Sequence, residues 1–136
     1  MNELRAQVDR LGLGKRVSFL GERRDVPRLL QGADIYCQAN VGPEGWSLSF
    51  MEAFAAARPV VTTRLGGAPE LIDDSTGALV PPGDTQAFAG ALRHLIEHPE
   101  KLASMGENAR KRILLLCAPE KQLAELESIL TSVARS

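Results

Sequence analysis

The stretch "RPVVTT", residues 58–63, constrains the fold more than any other part of the chain. Val60, Val61, Thr62 and Thr63 are all β-branched, which stiffens χ1 and favours extended backbone. No charged residue alternates with them, so neither face of this strand is built for water. Other short runs read alike. "VSFLG" (17–21), "ADIYCQA" (33–39) and "GALV" (77–80) are brief strands, with helical patterns between them. Strands of this kind alternating with helices make a parallel sheet covered on both faces. The expected fold class is therefore α/β, a Rossmann-like parallel sheet with helices on both faces.

The helices announce themselves by caps and breakers. Asn2 caps a helix carrying Leu4, Val8 and Leu11, stopped by Gly12 and Gly14. Asp25 opens a short helix within 25–33. A third helix runs from about Ser47 to Ala57, and Pro69 sits in the first turn of "APELI". Asp84 caps a helix over 85–97 with Phe88, Leu92, Leu95 and Ile96 facing inward. His98–Pro99 breaks it, and two further helices are expected over about 100–115 and 119–134. The chain has 136 residues, enough for one domain burying roughly two-thirds of its unfolded surface. No repeat or linker divides it.

A net charge of −1 excludes a nucleic acid or anionic membrane held by bulk charge, and leaves room for a local anion site. Cys37 and Cys117 show no metal or redox spacing and read as reduced, buried thiols of a cytoplasmic protein. There is no N-terminal apolar run of the signal-peptide kind, and the apolar stretch 113–118 is too short to span a bilayer.

Parallel sheets bind ligands beyond the carboxyl ends of their strands, which points to loops 21–25, 39–47, 64–68 and 81–84. The richest is 39–47. It holds Gly42, Pro43 and Gly45 and enters a helix whose first N–H groups, about Leu48, Ser49 and Phe50, suit a phosphate. Gly45 lets a ligand approach the backbone. Glu44 precedes this anion site and Glu52 follows it. Carboxylates accept from hydroxyls. Two of them flanking a phosphate site suit a molecule with hydroxyls at both ends and phosphate between, as in a nucleotide sugar. A second reading stands beside this one: Ser49-Phe50-Met51-Glu52 has capping-box spacing, and Glu44 can be an ordinary loop acid. "LGGAPE" (65–70) reads as a tight turn before a Pro-started helix, and "VPPGD" as strand end, turn and cap. His94 and His98 have a zinc-compatible spacing but no evident third ligand, so no metal is assigned.

Four stretches, "LGLGKRVSFLG", "DVPRLLQGADIYCQAN", "EGWSLSFMEAFAAARPVVTTRLGGAPELI" and "TGALVPPGD", resemble the retaining GT-B glycosyltransferases of family 4, the glycosyltransferase group 1 domain. The resemblance runs over about residues 4–112, and the family's E-x7-E motif falls on Glu44 and Glu52. It implies that Glu44, placed in the catalytic centre, accepts hydrogen bonds from the donor hexose. Amides around Gly45, Trp46 and Ser47 would line that sugar, those of Leu48 and Ser49 would hold the diphosphate, and Glu52 would bind the ribose. The base would lie near Glu22, Arg23 and Arg24; local pattern reads that arginine pair equally as a solvated face. Trp46 stands where the family usually has Phe, and Ser47 where it often has Gly, which bears on the donor sugar. No cofactor or metal is implied.

The resemblance also implies what lies outside the chain. Family members place the site between two Rossmann-like domains, and residues 1–136 correspond to the later part of the second, with helices about 100–134 at its end. An acceptor-binding N-terminal domain, a basic Arg/Lys segment and two strands would lie elsewhere. In the order 3-2-1-4-5-6 those strands separate "VSFL" from "DIYCQA". Open edges then lead to repacking of "VSFL" on the sheet, to homo-oligomers through edge pairing, or to detachment of residues 1–32. The chain alone is expected to be inert, with peripheral membrane association left to the full-length protein. The alternative function is a non-catalytic binding or assembly module.

Overall fold

The computed structural model describes residues 2–42, 45 and 47–134. In chain order the elements are α1 (Asn2–Arg10), α2 (Val26–Gln31), β1 (Tyr36–Gln38), α3 (Leu48–Ala55), β2 (Val60–Thr63), α4 (Ala68–Leu71), β3 (Gly77–Val80), α5 (Thr85–Glu97), α6 (Pro99–Leu116) and α7 (Pro119–Ala134). The strands form one parallel sheet in the order β1-β2-β3, with Tyr36 opposite Val60 and Val60 opposite Gly77. β2 is central and buried at every position.

Both faces of the sheet are covered. On one, Phe50 and Phe54 of α3, Leu71 and Ile72 at the end of α4, and Ala109 and Ile113 of α6 close around Val60. On the other, Phe88, Leu92 and Leu95 of α5 pack on Val61. The missing polar alternation in "VVTT" is thus the signature of this two-sided burial.

Gly77 and Gly106 allow close backbone approaches. A Cβ at Gly77 would collide with the backbone carbonyl of Val60, its partner in the sheet. A Cβ at Gly106 would strike the carbonyl of Ala57, where α6 crosses the end of α3. That end is a Schellman motif: Arg58 N–H donates to the Ala53 carbonyl and Ala57 N–H to the Phe54 carbonyl, both at 2.9 Å. Ala57 accordingly takes a left-handed conformation, φ 56°, normally left to glycine.

Several expectations are corrected. Residues 17–20 form no strand; no described strand lies beside them, and Val17 and Leu20 stay exposed. Repacking of "VSFL" into the sheet is therefore not what the chain does. Arg5 of α1 instead stacks over Phe19, 4.7 Å from the ring centre, and α1 itself buries nothing. β1 is shorter than the 33–39 run, because only 36–38 find partners on β2. Ile96 points to solvent, one step past the buried Leu95. α7 also buries no residue, so its apolar positions lie outside the core. Cys37 and Cys117 are free thiols but exposed rather than buried. At Cys37, on the edge strand, partial desolvation still pushes the thiol up to about 11.

α6 is tied to the turn before β3 by Arg112, which donates to the Leu71 carbonyl at 2.9 Å and to Asp73 Oδ2 at 2.6 Å. The guanidinium, with help from Ser75, holds the Asp73 carboxyl down at about 2.

Replacing Ala57 by glycine removes a left-handed strain of about 1–2 kcal/mol, offset by about 0.5–1 kcal/mol of glycine backbone entropy. Ala57→Gly is therefore expected to raise unfolding free energy by roughly 0.5–1 kcal/mol in urea titration. The Asp73 carboxyl has a folded pKa below its ordinary value, so its contribution is complete above about pH 4 and is lost as pH falls through about 2. Because the side chain is half-exposed, that contribution is under about 1 kcal/mol. Asp73→Asn should lower the melting temperature slightly at neutral pH and flatten its decline below about pH 4.

Candidate functional site

The carboxyl ends of β1 and β2 and the first turn of α3 are joined by a polar network. Gln38, the last residue of β1, accepts at Oε1 from the Tyr36 hydroxyl (2.7 Å) and from the Ser49 hydroxyl (2.8 Å). Ser49 Oγ and Ser47 Oγ are 2.6 Å apart. Gln38 Nε2 donates to Asn40 Oδ1 at 3.3 Å. From β2, Thr62 Oγ1 donates to the Gln38 carbonyl (2.7 Å) and Thr63 Oγ1 to the Asn40 carbonyl (2.8 Å). An edge-to-face contact of Tyr36 on Phe50, 6.3 Å between ring centres, adds apolar support. None of these polar residues was singled out in the sequence except the two serines. Their one signal was polarity at the carboxyl end of otherwise buried strands.

α3 begins one residue after Ser47, whose backbone is extended and whose side chain makes no cap bond. The Ser47 carbonyl accepts the Phe50 N–H at 3.1 Å. Of the three amides expected to be open, Phe50 is thus engaged, while Leu48 and Ser49 N–H find no acceptor among the described residues. The capping box does not form. Ser49 already lies inside the helix with its hydroxyl turned to Gln38, and Glu52 is the fifth residue of α3, exposed to solvent. Gly45 leaves open space where a Cβ would stand, so packing among the described residues does not require a glycine there. Glu44 and Trp46 lie outside the described residues.

Arg23 forks onto Asp25, with Nε to Oδ1 at 2.7 Å and Nη2 to Oδ2 at 2.5 Å. Asp25 therefore gives α2 no side-chain cap, and its carboxyl is lowered by that hydrogen bond. Glu22 and Arg24 stand in solvent. In the loop after β2, Gly66 has φ 52° and Leu65 N–H turns back to the Thr63 carbonyl at 2.8 Å, the tight turn read from "LGG". Asp84 caps α5 through Ala87 N–H at 2.8 Å. The His94 and His98 rings stack at 4.3 Å, and His98 Nδ1 is held 2.8 Å from the His94 carbonyl. A cleft of about 250 Å³ opens between residues 39–41, Thr63 and the start of α5, with Phe88 and Leu92 in its wall. Its apolar lining suits neither phosphate nor sugar hydroxyls.

The fold and this helix entrance define an α/β domain with an anion-compatible helix start beyond its strand ends. Known proteins give that class its family. The sequence profile described as "Glycosyl transferases group 1" matches residues 1–98, and the chain belongs to that family. It is 34% identical over 129 residues to N-acetyl-alpha-D-glucosaminyl L-malate synthase of Bacillus anthracis, covering 94% of this chain and 34% of that protein. It is 32% identical over 136 residues to phosphatidyl-myo-inositol mannosyltransferase of Mycobacterium leprae, covering 96% and 36%. Among solved structures, Anabaena Alr3699/HepE in complex with UDP superposes with a TM-score of 0.84 at 34% identity, over 93% of this chain and 36% of that one. The same Anabaena protein is also known with UDP-glucose. The chain thus spans about a third of the proteins it matches. Its parallel sheet is part of a GT-B glycosyltransferase fold, consistent with a partial domain.

Thr62 is completely buried and ties β2 to the carboxyl end of β1. Thr62→Val keeps the shape and removes the hydroxyl, and is expected to cost about 1–2 kcal/mol. Hydrogen exchange should show faster exchange in β1 and the first turn of α3 while β3 stays protected.

Proposed function

We propose that the chain is the donor-binding part of a retaining glycosyltransferase that transfers a sugar from a nucleoside-diphosphate sugar to an acceptor. The observation that carries this reading is the start of α3, with the Leu48 and Ser49 amides placed beyond the carboxyl end of β1. Helix amides and the helix dipole favour a phosphate there. The UDP and UDP-glucose complexes of the Anabaena relative support it.

In this reading Leu48 and Ser49 hold the diphosphate, Gly45, Trp46 and Ser47 line the donor sugar, and Glu44 accepts from its hydroxyls in the catalytic centre. Glu52, exposed one turn further along α3, takes the ribose, and the base lies toward Glu22, Arg23 and Arg24. The leaving diphosphate is stabilised by oriented dipoles and by basic groups from outside this chain, so no metal or cofactor is assigned. The acceptor would be held by a further, N-terminal domain. We place the protein in the cytoplasm; no helix among the described residues is long and apolar enough to cross a membrane.

One observation favours a second reading, a non-catalytic binding or assembly module. Leu123, Leu126, Ile129, Leu130 and Val133 leave α7 with exposed apolar positions over its whole length.

Calorimetric titration with UDP-, GDP- and ADP-sugars separates the two. The donor reading expects one of them to bind in the micromolar to millimolar range, and Glu52→Ala to weaken it by roughly tenfold through lost ribose hydrogen bonds. Absence of binding at millimolar ligand would reject it in favour of the assembly module.

A further inference from the structure

We infer that Gln38 is the positioning residue of the donor site: it orders the first turn of α3 before any ligand arrives. The inference rests on the donor reading above and adds a residue to it that touches no substrate. It comes from the convergence of bonds on one amide. Gln38 Oε1 accepts from Tyr36 and Ser49 at once, which uses both of its lone pairs. Ser49 in turn meets Ser47, so the two hydroxyls of the helix entrance are held through Gln38. Its Nε2 reaches Asn40, and its carbonyl is fixed by the buried Thr62. The amide thereby links β1, the loop that follows it, and the two serines that flank Leu48 at the start of α3.

A helix start is otherwise prone to fray, because its first N–H groups have no intrahelical acceptor. Here Ser47 makes no cap bond with its own side chain. Among the described residues, order at residues 47–49 comes from Gln38 on one side and from Phe50, packed against Tyr36, on the other. The arrangement also sets polarity. Because Ser49 gives its hydrogen to Gln38, Ser47 gives its own to Ser49. Ser47 Oγ is then left with lone pairs and no hydrogen to give, so it can accept a hydrogen bond but not donate one to a phosphate.

The test compares the wild-type chain with Gln38→Leu and Gln38→Asn. The first removes the acceptor; the second keeps an amide that is one methylene too short to reach Ser49. Affinity for UDP-glucose and GDP-mannose is measured by titration, with melting temperature recorded in parallel. Both variants are expected to bind about tenfold more weakly while melting within a few degrees of wild type. The double variant Gln38→Leu/Ser49→Ala should lose less than the sum of the Gln38→Leu and Ser49→Ala losses, since both changes remove the Gln38–Ser49 bond. Wild-type affinity in a folded variant overturns the inference, as does full additivity in the double variant. If Gln38→Leu does not fold, Gln38→Asn decides the question alone. No binding by the wild type rejects the donor reading itself and this inference with it, an outcome distinct from equal binding by wild type and variants.

Discussion

The burial of β2 is the constraint on which the rest of the structure depends. Val60, Val61 and Thr62 are completely removed from solvent. A strand buried on both faces and hydrogen-bonded on both edges needs a neighbour in every direction. β1 and β3 supply the edges, α3 with α6 supplies one face, and α5 the other. Gly77 and Gly106 sit where these neighbours come closest, and a single Cβ at either would meet backbone. The parallel register then places Gln38 beside Thr62 and Thr63 beside Val80. The loops after β1, β2 and β3 therefore leave from one end of the sheet, where the candidate site is assembled.

What could be read from the sequence was what lies in short-range pattern. The β-branched run of β2, the Asp84 cap, the Pro69 start of α4 and the His98–Pro99 break all encode their conformation within a few residues. "VSFL" has an equally good strand pattern and forms none, because a strand is completed by its partner, and no described strand stands beside it. α1 and α7 illustrate the same limit in helices. Their apolar spacing is legible and their helices form, but neither buries a residue, since periodicity says which face is apolar and not what covers it.

The candidate site divides along the same line. Ser47, Ser49 and Glu52 were found by their spacing around a helix start. Which serine caps, and what the other does, was not legible. The capping box asked for Ser49 at the cap with Glu52 reaching back. Gln38, eleven residues earlier, instead captures the Ser49 hydroxyl, and the helix starts at Leu48. Gln38, Asn40, Thr62 and Thr63 read simply as strand and loop residues. Their polarity in a sheet otherwise dense with valine and alanine was the only trace of the network they form.

That network bears on how such a site attracts an anion at all. The chain carries a net charge of −1, and Arg23, one of the cations proposed for the nucleotide side, is already paired with Asp25. Bulk attraction is therefore weak, and what the start of α3 itself offers is the field of oriented peptide dipoles, equivalent to about half a charge at a helix start and confined to its first turn. A field so local is useful only if the amides that make it point the right way before the ligand binds, because ordering them afterwards would cost about 1–2 kcal/mol per residue. A network of neutral hydrogen bonds beneath the turn meets that need without adding charge of either sign. The apolar shell around Tyr36 and Phe50 lowers the dielectric beside it and strengthens the same dipoles. In the proposed donor site, preorganised amides therefore complement the basic groups assigned outside this chain rather than replace them.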